Sequence, residues 1–377
     1  MLIQIHMLQN YVPSLLNRDD SGAAKSAYFG GSQRGRISSQ CLKRSIRMSD
    51  TFQDAFREAG LLADRTKRLP KLISDALQQL EVSNEVREAI IARIPEFGQE
   101  SKKREGKTLE EQETRQLIFI SSGEVETLAR NLLALYEGKG AKQWKDAKID
   151  EITKALGASI PRSVDIAMFG RMTTSAAFED VQAAVQVAHA LSTNNLTRVY
   201  DYFTAVDDLK QQDEESEDAG AGMIGDVELN SSTYYKYFNI HWDGLIENLG
   251  GDAETAAQAV MAFLEAAAVS QPSGKQNSTA AYQLPDFILV EVSDRNLPIN
   301  YANAFLRSAY QSHQETLMEN SINKLNEYAQ KVRSAYGLNG RRAYFTTTGL
   351  EADGHNTESL MGLQTWVAGQ IAEVGNG

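Results

Sequence analysis

The order of the first predicted elements limits the folds open to this chain. Residues 2–8 alternate between two sides, which predicts a β-strand with one buried face. Residues 11–35 contain a proline and paired glycines with little periodicity, so we interpret them as one long functional loop. Ser38 and Ser39 then offer an N-cap to a helix that begins near Gln40. A strand, a loop and a helix in this order are the opening of many α+β proteins.

Positive charge is concentrated in this opening segment. Between positions 18 and 47 there are seven basic and two acidic residues, which gives +5, whereas the whole chain carries −12 and the remainder therefore −17. The basic residues are Arg18, Lys25, Arg34, Arg36, Lys43, Arg44 and Arg47. On the predicted helix, Leu42 and Ile46 form a buried stripe opposite the last three of them. This excess predicts a local anion site, and nucleic-acid phosphate is the obvious anion at that size.

Composition sets outer limits on the protein. A length of 377 residues suggests two or three domains, and no run of about 18 apolar residues predicts a transmembrane helix. The N-terminus lacks a basic leader region, and the single cysteine, Cys41, excludes an intramolecular disulfide framework. We therefore expect a cytoplasmic protein without membrane contact. A pI of about 5.1 argues against indiscriminate nucleic-acid binding. Salt screens charges that are more than roughly 10 Å apart, however, so a local basic patch can still bind an anion on an acidic protein.

The rest of the chain changes character twice. Residues 65–155 are charged and helical by propensity, which predicts an inserted helical subdomain. In this subdomain four lysines recur every three residues: Lys139, Lys142, Lys145 and Lys148. This spacing fits a basic track along one side of a helix, and it also fits an ordinary solvated helix face. From position 162 we predict strands at 164–168, 234–242 and 287–292, and helices at about 252–269, 313–335 and 357–374. The acidic stretch 207–218 and the glycine-rich segment after it predict an extended arm.

Signals for catalysis are weak in this sequence. It has no Walker, Gly-x-Ser-x-Gly, His-Glu-x-x-His or Cys-x-x-Cys motif, and its five histidines lack metal-ligand spacing. His6 with Asp19 and Asp20 is the one arrangement that could hold Mg²⁺ for phosphodiester cleavage. A two-metal site would need further carboxylates, so we favour a loop-capping role for the two aspartates. We expect no cofactor, no bound metal and no enzymatic activity.

Signals for binding are stronger. Ser38 and Gln40, with the backbone N–H groups at the helix start, can donate to a phosphate. At 170–172 a Gly-Arg-Met turn offers Arg171 to the nucleic-acid backbone and Met172 to a base, although Met172 as a core residue fits the spacing nearly as well. The RNP1 pattern with its stacking aromatics is absent from the sequence, which predicts sequence-tolerant binding.

Seven segments together resemble one known family. They are Asn17–Asp20, Phe29–Gly31, Arg36–Gln40 with Leu42–Arg44, Val164–Ala167, Gly170–Met172, Phe203–Leu209 and Tyr336–Gly340. In this order they are similar to the CasC-type backbone subunit of the type I-E CRISPR Cascade complex, a member of the repeat-associated mysterious protein superfamily. The helical region resembles the family only in character.

The resemblance implies a particular architecture. It is a modified RRM-like (ferredoxin-like) palm with an inserted helical fingers domain and a β-hairpin thumb. On this sequence, 1–59 would be the first part of the palm, 60–160 the fingers, and 161–377 the remainder of the palm, with the thumb at about 195–232. The thumb is longer and more acidic than the family pattern, and we expect its acidic stretch to face solvent or a basic partner.

The resemblance also implies sites and partners. Lys25, Ser38, Gln40, Lys43, Arg44 and Arg47 would grip the CRISPR RNA, with Met172 wedged at a kink. Lys139, Lys142 and Lys145 would track duplex DNA. Partners would be the CRISPR RNA, target DNA paired with the guide, neighbouring copies of the chain, and other Cascade subunits: the 5′-handle cap, the 3′-hairpin endonuclease, and the large and small subunits.

Two other functions remain open at this point. Related CRISPR filament subunits cut RNA through a loop aspartate, so a metal-dependent RNA endonuclease is the alternative, with Asp19 and Asp20 in a comparable loop. A self-sufficient, sequence-specific RNA-binding regulator is the third, and the missing RNP1 aromatics count against it.

Overall fold

The computed structural model describes residues 1–97, 113–114, 116–156, 163–173, 177–205 and 223–375. The chain divides into two compact units. The first is Met1–Ser49, Val187–Asn239 and Phe263–Gly377, and the second is Asp50–Gln186 and Ile240–Ala262. The predicted helical insertion, 60–160, lies inside the second unit. Within the described residues, no helix is both long and apolar enough to span a bilayer.

The secondary structure is mixed, and the predicted α+β class is confirmed. The strands are β1 (Leu2–Ser14), β2 (Ser26–Phe29), β3 (Ser32–Ile37), β4 (Ala63–Thr66), β5 (Ile118–Ser121), β6 (Val185–Val187), β7 (Ala190–Ser192), β8 (Arg198–Ala205), β9 (Met223–His241), β10 (Phe287–Ser293), β11 (Arg341–Thr346) and β12 (His355–Asn356). The helices are α1 (Ser39–Arg47), α2 (Asp50–Phe56), α3 (Leu69–Gln79), α4 (Asn84–Ile91), α5 (Ser122–Asp146), α6 (Ile149–Ala155), α7 (Val164–Phe169), α8 (Trp242–Asn248), α9 (Ala253–Val269), α10 (Gln276–Thr279), α11 (Leu317–Tyr336) and α12 (Leu360–Gly375). Short 3-10 helices occupy Ile94–Glu96 and Tyr301–Phe305.

A large sheet organises the first unit. Its main path runs β12-β11-β10-β1-β9-β7-β3-β2, with β8 paired along β9. The central pair, β1 and β10, is antiparallel, with a register from Leu2↔Ser293 to Leu8↔Phe287. Helix α11 covers one face, where Ile322 packs into a cluster with Leu8 and Phe287.

The first strand is buried on both faces, which corrects the prediction of one buried face. Every residue from Leu2 to Gln9 is buried. One face lies against α11, while on the opposite face of the sheet Phe238 packs edge-to-face on Phe263. Covering both faces makes β1 a central strand, for which alternation in the sequence carries little information.

The predicted loop at 11–35 is also corrected, because it contains regular structure. Strand β1 continues to Ser14, and β2 and β3 form a hairpin closed between Phe29 and Ser32. Its two turn residues, Gly30 and Gly31, have φ angles of 59° and 80°. Two successive positive φ angles fit a type I′ turn, whose twist suits a β-hairpin and which glycine adopts without strain.

The second unit is mainly helical around a two-stranded sheet, β4–β5. Leu69 and Ile73 of α3 pack with Leu128 and Leu132 of α5 in its core. The predicted strand at 164–168 is wrong: these residues form α7, and the Ser163 hydroxyl caps it by accepting from the Ile166 N–H. All six residues of α7 are buried. The segment therefore has no exposed polar residues whose spacing could distinguish a helix from a strand in the sequence.

The remaining elements follow the predictions closely. The strands at 234–242 and 287–292 are confirmed in β9 and β10, and the helix at 252–269 in α9. Helix α11 begins at Leu317 and not at 313, because Thr316 and Glu319 form a capping box there.

A buried polar network joins β1, β10 and β11. The carboxylate of Glu291 accepts from His6 Nε2 at 3.1 Å and pairs with the guanidinium of Arg342. The Tyr235 hydroxyl donates to His6 Nδ1 at 2.8 Å. Burial works to raise the pKa of Glu291, but the hydrogen bond from His6 and the charges of His6 and Arg342 together lower it to about 2. Burial lowers the pKa of His6, while the hydrogen bond to Glu291 and the charge of that carboxylate oppose the shift.

This network predicts acid sensitivity of the first unit. The folded-state pKa of Glu291, about 2, lies below its ordinary value of 4.5, so its stabilisation is complete above pH 4.5 and lost as the pH falls towards 2. The loss amounts to about 3 kcal/mol of unfolding free energy. Denaturant unfolding at pH 6 and pH 3 should show about 2 kcal/mol of this loss, and the rest follows below pH 3. The Glu291→Gln variant should lack this pH dependence, whereas the control Glu373→Gln, at an exposed ion pair, should keep it.

Candidate nucleic-acid interface

Helix α1 is built at the position that the sequence predicts. Ser38 is its N-cap, and the Ser38 hydroxyl accepts from the Cys41 N–H at 3.4 Å. The Ser38 N–H in turn donates to Asn17 Oδ1 at 2.9 Å, which ties the helix start to the preceding loop. Leu42 packs into an apolar cluster with residues of β1, β3 and β9. The side of α1 away from this cluster carries its basic residues.

The basic residues of α1 differ in exposure. Gln40 and Arg44 are exposed, while Lys43 and Arg47 are half-buried. Arg44 and Arg47 occupy the last turn, where cations also complement the helix dipole. A basic end on α1 therefore agrees with both local helix stability and anion binding.

Cations from three elements lie close together beside α1. Burial lowers the pKa of His189, and the charges of Arg36 and Lys25 lower it further. Burial raises the pKa of Cys41, while the charges of Lys25 and Arg44 oppose that rise. The Arg36 N–H donates to the Lys25 carbonyl oxygen at 2.9 Å, so these two residues are adjacent, and Lys25 and Arg44 both act on Cys41; we call Lys25, Arg36 and Arg44 the basic cluster.

An open groove of about 550 Å³ runs beside this cluster. Its lining is Leu16, Asn17, Arg18, Asp19, Asp20, Gly22, Cys41, Arg44, Ser45, Ser273 and Gly274. The two arginines of the lining are matched by two aspartates, so the lining itself carries no net charge, and the excess positive charge comes from Lys25 and Arg36 nearby. The arginines, Asn17 and the two serines can donate to phosphate and sugar, so the groove can hold a nucleic-acid backbone.

Ser273 and Gly274 are parts of the groove that the sequence analysis missed. A Cβ at Gly274 would lie 2.4 Å from the Leu15 carbonyl oxygen, so glycine is required for the loop to approach β1. The Pro-Ser-Gly run at 272–274 signals a turn, but nothing in the sequence says that this turn lies opposite α1.

Asp19 caps its own turn. Its Oδ1 accepts from the Ser21 hydroxyl, the Ser21 N–H and the Ala23 N–H, at 2.7, 2.9 and 3.1 Å. These hydrogen bonds, that of the Ser21 side chain above all, lower the pKa of Asp19. The proposed grouping with His6 is wrong, because His6 is buried in β1 and bonded to Tyr235 and Glu291. In the described part of the chain, no three potential metal-ligating side chains come together.

The structure corrects the prediction that Arg34 contacts nucleic acid. Its side chain is fully buried in the first unit. The guanidinium donates to the carbonyl oxygens of Phe29, Ser192, Thr193 and Phe305, at 3.3, 3.2, 2.6 and 2.7 Å. Arg34 therefore joins three chain segments from inside.

Arg171 is corrected in the same way within the second unit. It is 5 % exposed, and its NH1 pairs with Glu124 Oε1 at 2.7 Å. The neighbouring Met172 is 94 % exposed, which rules out its alternative role as a core residue. The turn thus presents the methionine and hides the arginine.

The lysines at 139–145 do not lie on one continuous helix face. Helix α5 is kinked at Gly140, whose φ of 74° is not helical. Lys139 is half-buried before the kink, whereas Lys142 and Lys145 are exposed after it. Their contact with DNA stays a prediction.

Part of the predicted thumb forms a hairpin. Strands β8 and β9 pair antiparallel from Arg198↔Asn230 to Ala205↔Met223. Residues 206–222, and with them the acidic stretch 207–218, lie outside the described residues.

Comparison with known proteins gives the family. A family model described as CT1975-like protein matches residues 3–370. The chain belongs to the CT1975-like family. Among solved structures, this CT1975-like protein is similar to a chain of a "CRISPR RNA-guided surveillance complex, pre-nicking", with 31 % identity, a TM-score of 0.80, and coverage of 98 % of this chain and 100 % of that chain.

A second solved structure shares the fold of this CT1975-like protein. It is a chain of a "CRISPR RNA-guided surveillance complex", with 24 % identity, a TM-score of 0.71, and coverage of 98 % of this chain and 100 % of that chain. A search of curated proteins found no significant match.

Proposed function

We propose that this CT1975-like protein is the CRISPR RNA-binding backbone subunit of a Cascade-type surveillance complex. The observation that carries the proposal is the groove beside α1 with its neighbouring cations, in a chain 31 % identical to one from a CRISPR RNA-guided surveillance complex over 98 % of its length. The motifs at 17–20, 36–44 and 170–172 support the type I-E class.

The groove would hold the RNA by its backbone. Arg18 and Arg44 line it, and Lys25 and Arg36 add charge nearby. Contacts to phosphate fix the register of a strand without reading its bases. The bases stay free to pair with target DNA, and pre-ordering the guide offsets part of the entropy that pairing costs. Sequence would then be read by base pairing, with the protein tolerant of any guide.

Assembly would follow from repetition of this binding mode. Several copies would line the guide, each with its thumb over the RNA of a neighbour, beside the subunits that cap the RNA ends and the large and small subunits. Helices of the second unit would face duplex DNA with Lys142 and Lys145, which are exposed.

A role without catalysis fits the loop at 19–23 better than the endonuclease alternative does. One oxygen of Asp19 already accepts three hydrogen bonds within its own turn. Such a carboxylate is committed to loop structure. We therefore propose that the subunit binds RNA and does not cut it.

A single gel tests both functions. Labelled RNA of spacer length is incubated with the purified protein and Mg²⁺, and both retention and integrity are scored. We expect intact RNA and stepwise binding that grows with RNA length, since each added copy covers a further stretch. Unrelated RNAs of equal length should bind with comparable affinity.

Three other outcomes of this experiment would contradict the proposed function. RNA shortened at regular intervals, and spared by the Asp19→Ala/Asp20→Ala double variant, would make the protein an endonuclease. Strong preference for one sequence would make it a sequence-specific regulator. Absence of any retention would remove the proposed function.

A further inference from the structure

The groove has a second side, formed by a segment remote in sequence from α1. This segment is 271–283, which we call the wall segment. Its residues Ser273 and Gly274 line the groove together with Cys41 and Arg44 of α1. The next residue, Lys275, is exposed. The wall segment therefore carries a hydroxyl group in the groove lining and a cation beside it, and both kinds of group contact phosphate in nucleic-acid complexes.

One buried amide fixes the shape of the wall segment. The Gln276 Nε2 donates to the carbonyl oxygens of Pro272 and Ala281, at 2.9 and 3.1 Å, and the Gln276 Oε1 accepts from the Ala281 N–H at 2.7 Å. These bonds join the chain before α10 to the chain after it. Lys275, between them, has a φ of 54° and a ψ of 20°, in the left-handed region. A residue other than glycine keeps such a conformation only where its surroundings fix it.

Two side chains of β1 attach both ends of the wall segment to the sheet. At one end, the Gln271 Oε1 accepts from the Tyr11 hydroxyl and, at 3.1 Å, from the Gln9 Nε2. At the other end, the Gln283 carbonyl oxygen accepts from the Gln9 Nε2 at 2.5 Å and from the Gln271 Nε2 at 2.8 Å. The position of the wall segment therefore depends on how Gln9 and Tyr11 are oriented.

A buried lysine sets this orientation from below. Lys236 of β9 is fully buried, and its Nζ donates to the Gln9 Oε1 and, at 3.1 Å, to the Tyr11 hydroxyl oxygen. Burial lowers the pKa of Lys236 to about 7, and even the neutral amine keeps two N–H donors. Because both oxygens accept from Lys236, the Gln9 amide and the Tyr11 proton are left to donate to Gln271. One side chain therefore orients both attachments of the wall segment.

We propose that the wall segment contacts the RNA backbone through Ser273 and Lys275, and that Lys236 is the positioning residue that keeps these contacts in place. The inference rests on the proposed function and adds a second side to the RNA groove. Contacts from two elements fix the register and orientation of a strand, which contacts from α1 alone leave free to shift. Such contacts need supporting residues that are themselves locked by packing and hydrogen bonds.

Salt dependence of RNA binding tests the contact. RNA of spacer length is titrated by fluorescence anisotropy at several salt concentrations and at pH 8. Lys275→Ala should reduce the slope of log affinity against log salt by about 0.7 for each bound copy, and weaken binding roughly fivefold at about 0.1 M salt. The control is Lys331→Ala, which removes an exposed lysine of the same unit that does not line the groove. It should keep the wild-type slope, and a wild-type slope in Lys275→Ala would overturn the proposal.

The same titration tests positioning with Lys236→Met, which keeps the length of the side chain and removes its N–H donors. We expect the slope to fall as much as in Lys275→Ala, and the double variant to show no further fall, because Lys275 is already out of place. At pH 8 the buried amine is mostly neutral, so its own charge adds little to the slope. A wild-type slope in Lys236→Met, or reductions that add in the double variant, would overturn the positioning role.

A second variant covers the case in which Lys236→Met does not fold. Gln271→Met removes the acceptor that ties the wall segment to β1 and leaves Lys236 bonded to Gln9 and Tyr11. It should reduce the slope by the same amount, and a wild-type slope would overturn the proposal. If the wild-type protein binds RNA but Lys275→Ala keeps the slope, only this inference fails; if the wild-type protein binds no RNA, the proposed function fails as well.

Discussion

Replacing Arg34 by Ala should destabilise the first unit by more than about 4 kcal/mol. The change removes the guanidinium's hydrogen bonds to the carbonyls of Phe29, Ser192, Thr193 and Phe305, of which Thr193 still accepts from the Ala309 N–H, and it opens a cavity. Such a loss is a large part of the 5–15 kcal/mol that stabilises a typical protein. The unfolding temperature of this unit should fall by roughly 10 °C, measured calorimetrically.

Arg18 offers the matched control for this prediction. It is an exposed arginine of the same segment, and Arg18→Ala should change the unfolding free energy by less than about 0.5 kcal/mol. Arg34→Lys should recover part of the loss, because an ammonium group donates but cannot reach four acceptors in fork geometry. An Arg34→Ala protein that unfolds at the wild-type temperature would show that the buried guanidinium is dispensable.

Replacing Lys43, Arg44 and Arg47 together by Ala should weaken RNA binding roughly 100-fold at about 0.1 M salt. Each phosphate neutralised in a single strand contributes about 0.7 to the slope of log affinity against log salt, so the three changes should reduce the slope by about 2. Fluorescence anisotropy titrations at several salt concentrations measure both quantities. Thermal unfolding of the same variant shows whether its fold is kept.

The control for this variant removes equal charge elsewhere. Arg295, Lys324 and Lys331 belong to the first unit and are distant from α1 in sequence. None of the three lines the groove, so their joint replacement by Ala should change RNA affinity by less than about threefold at the same salt. Full RNA retention by the Lys43, Arg44 and Arg47 variant would remove the basis for the proposed function.

Much of the site was readable from local sequence. Ser38 as N-cap, Leu42 as the buried position and the basic turn at the end of α1 all follow from residues within one or two helical turns. The Gly30-Gly31 pair also matched a two-residue hairpin turn, so β2–β3 could have been predicted in place of a loop.

Arg34 and Arg36 show where local sequence is insufficient. Both lie in β3, two residues apart, and strand parity therefore puts them on the same face. Arg34 is nevertheless fully buried and Arg36 half-buried. The acceptors that make burial of Arg34 tolerable come from Ser192, Thr193 and Phe305, remote in the sequence. Arg171 is a second example, because its burial depends on a hydrogen bond to Glu124, which is 47 positions away in the sequence.

The sequence by itself determined the α+β class, the start of α1, and the concentration of positive charge near the N-terminus. These features depend on neighbours a few residues apart and on composition. Only the tertiary structure decided which cations reach solvent, that Met172 is presented, and that Ser273 and Gly274 complete the groove. The physical reason is desolvation: a charged side chain can be buried only where distant segments bring enough hydrogen-bond partners to offset the loss of water.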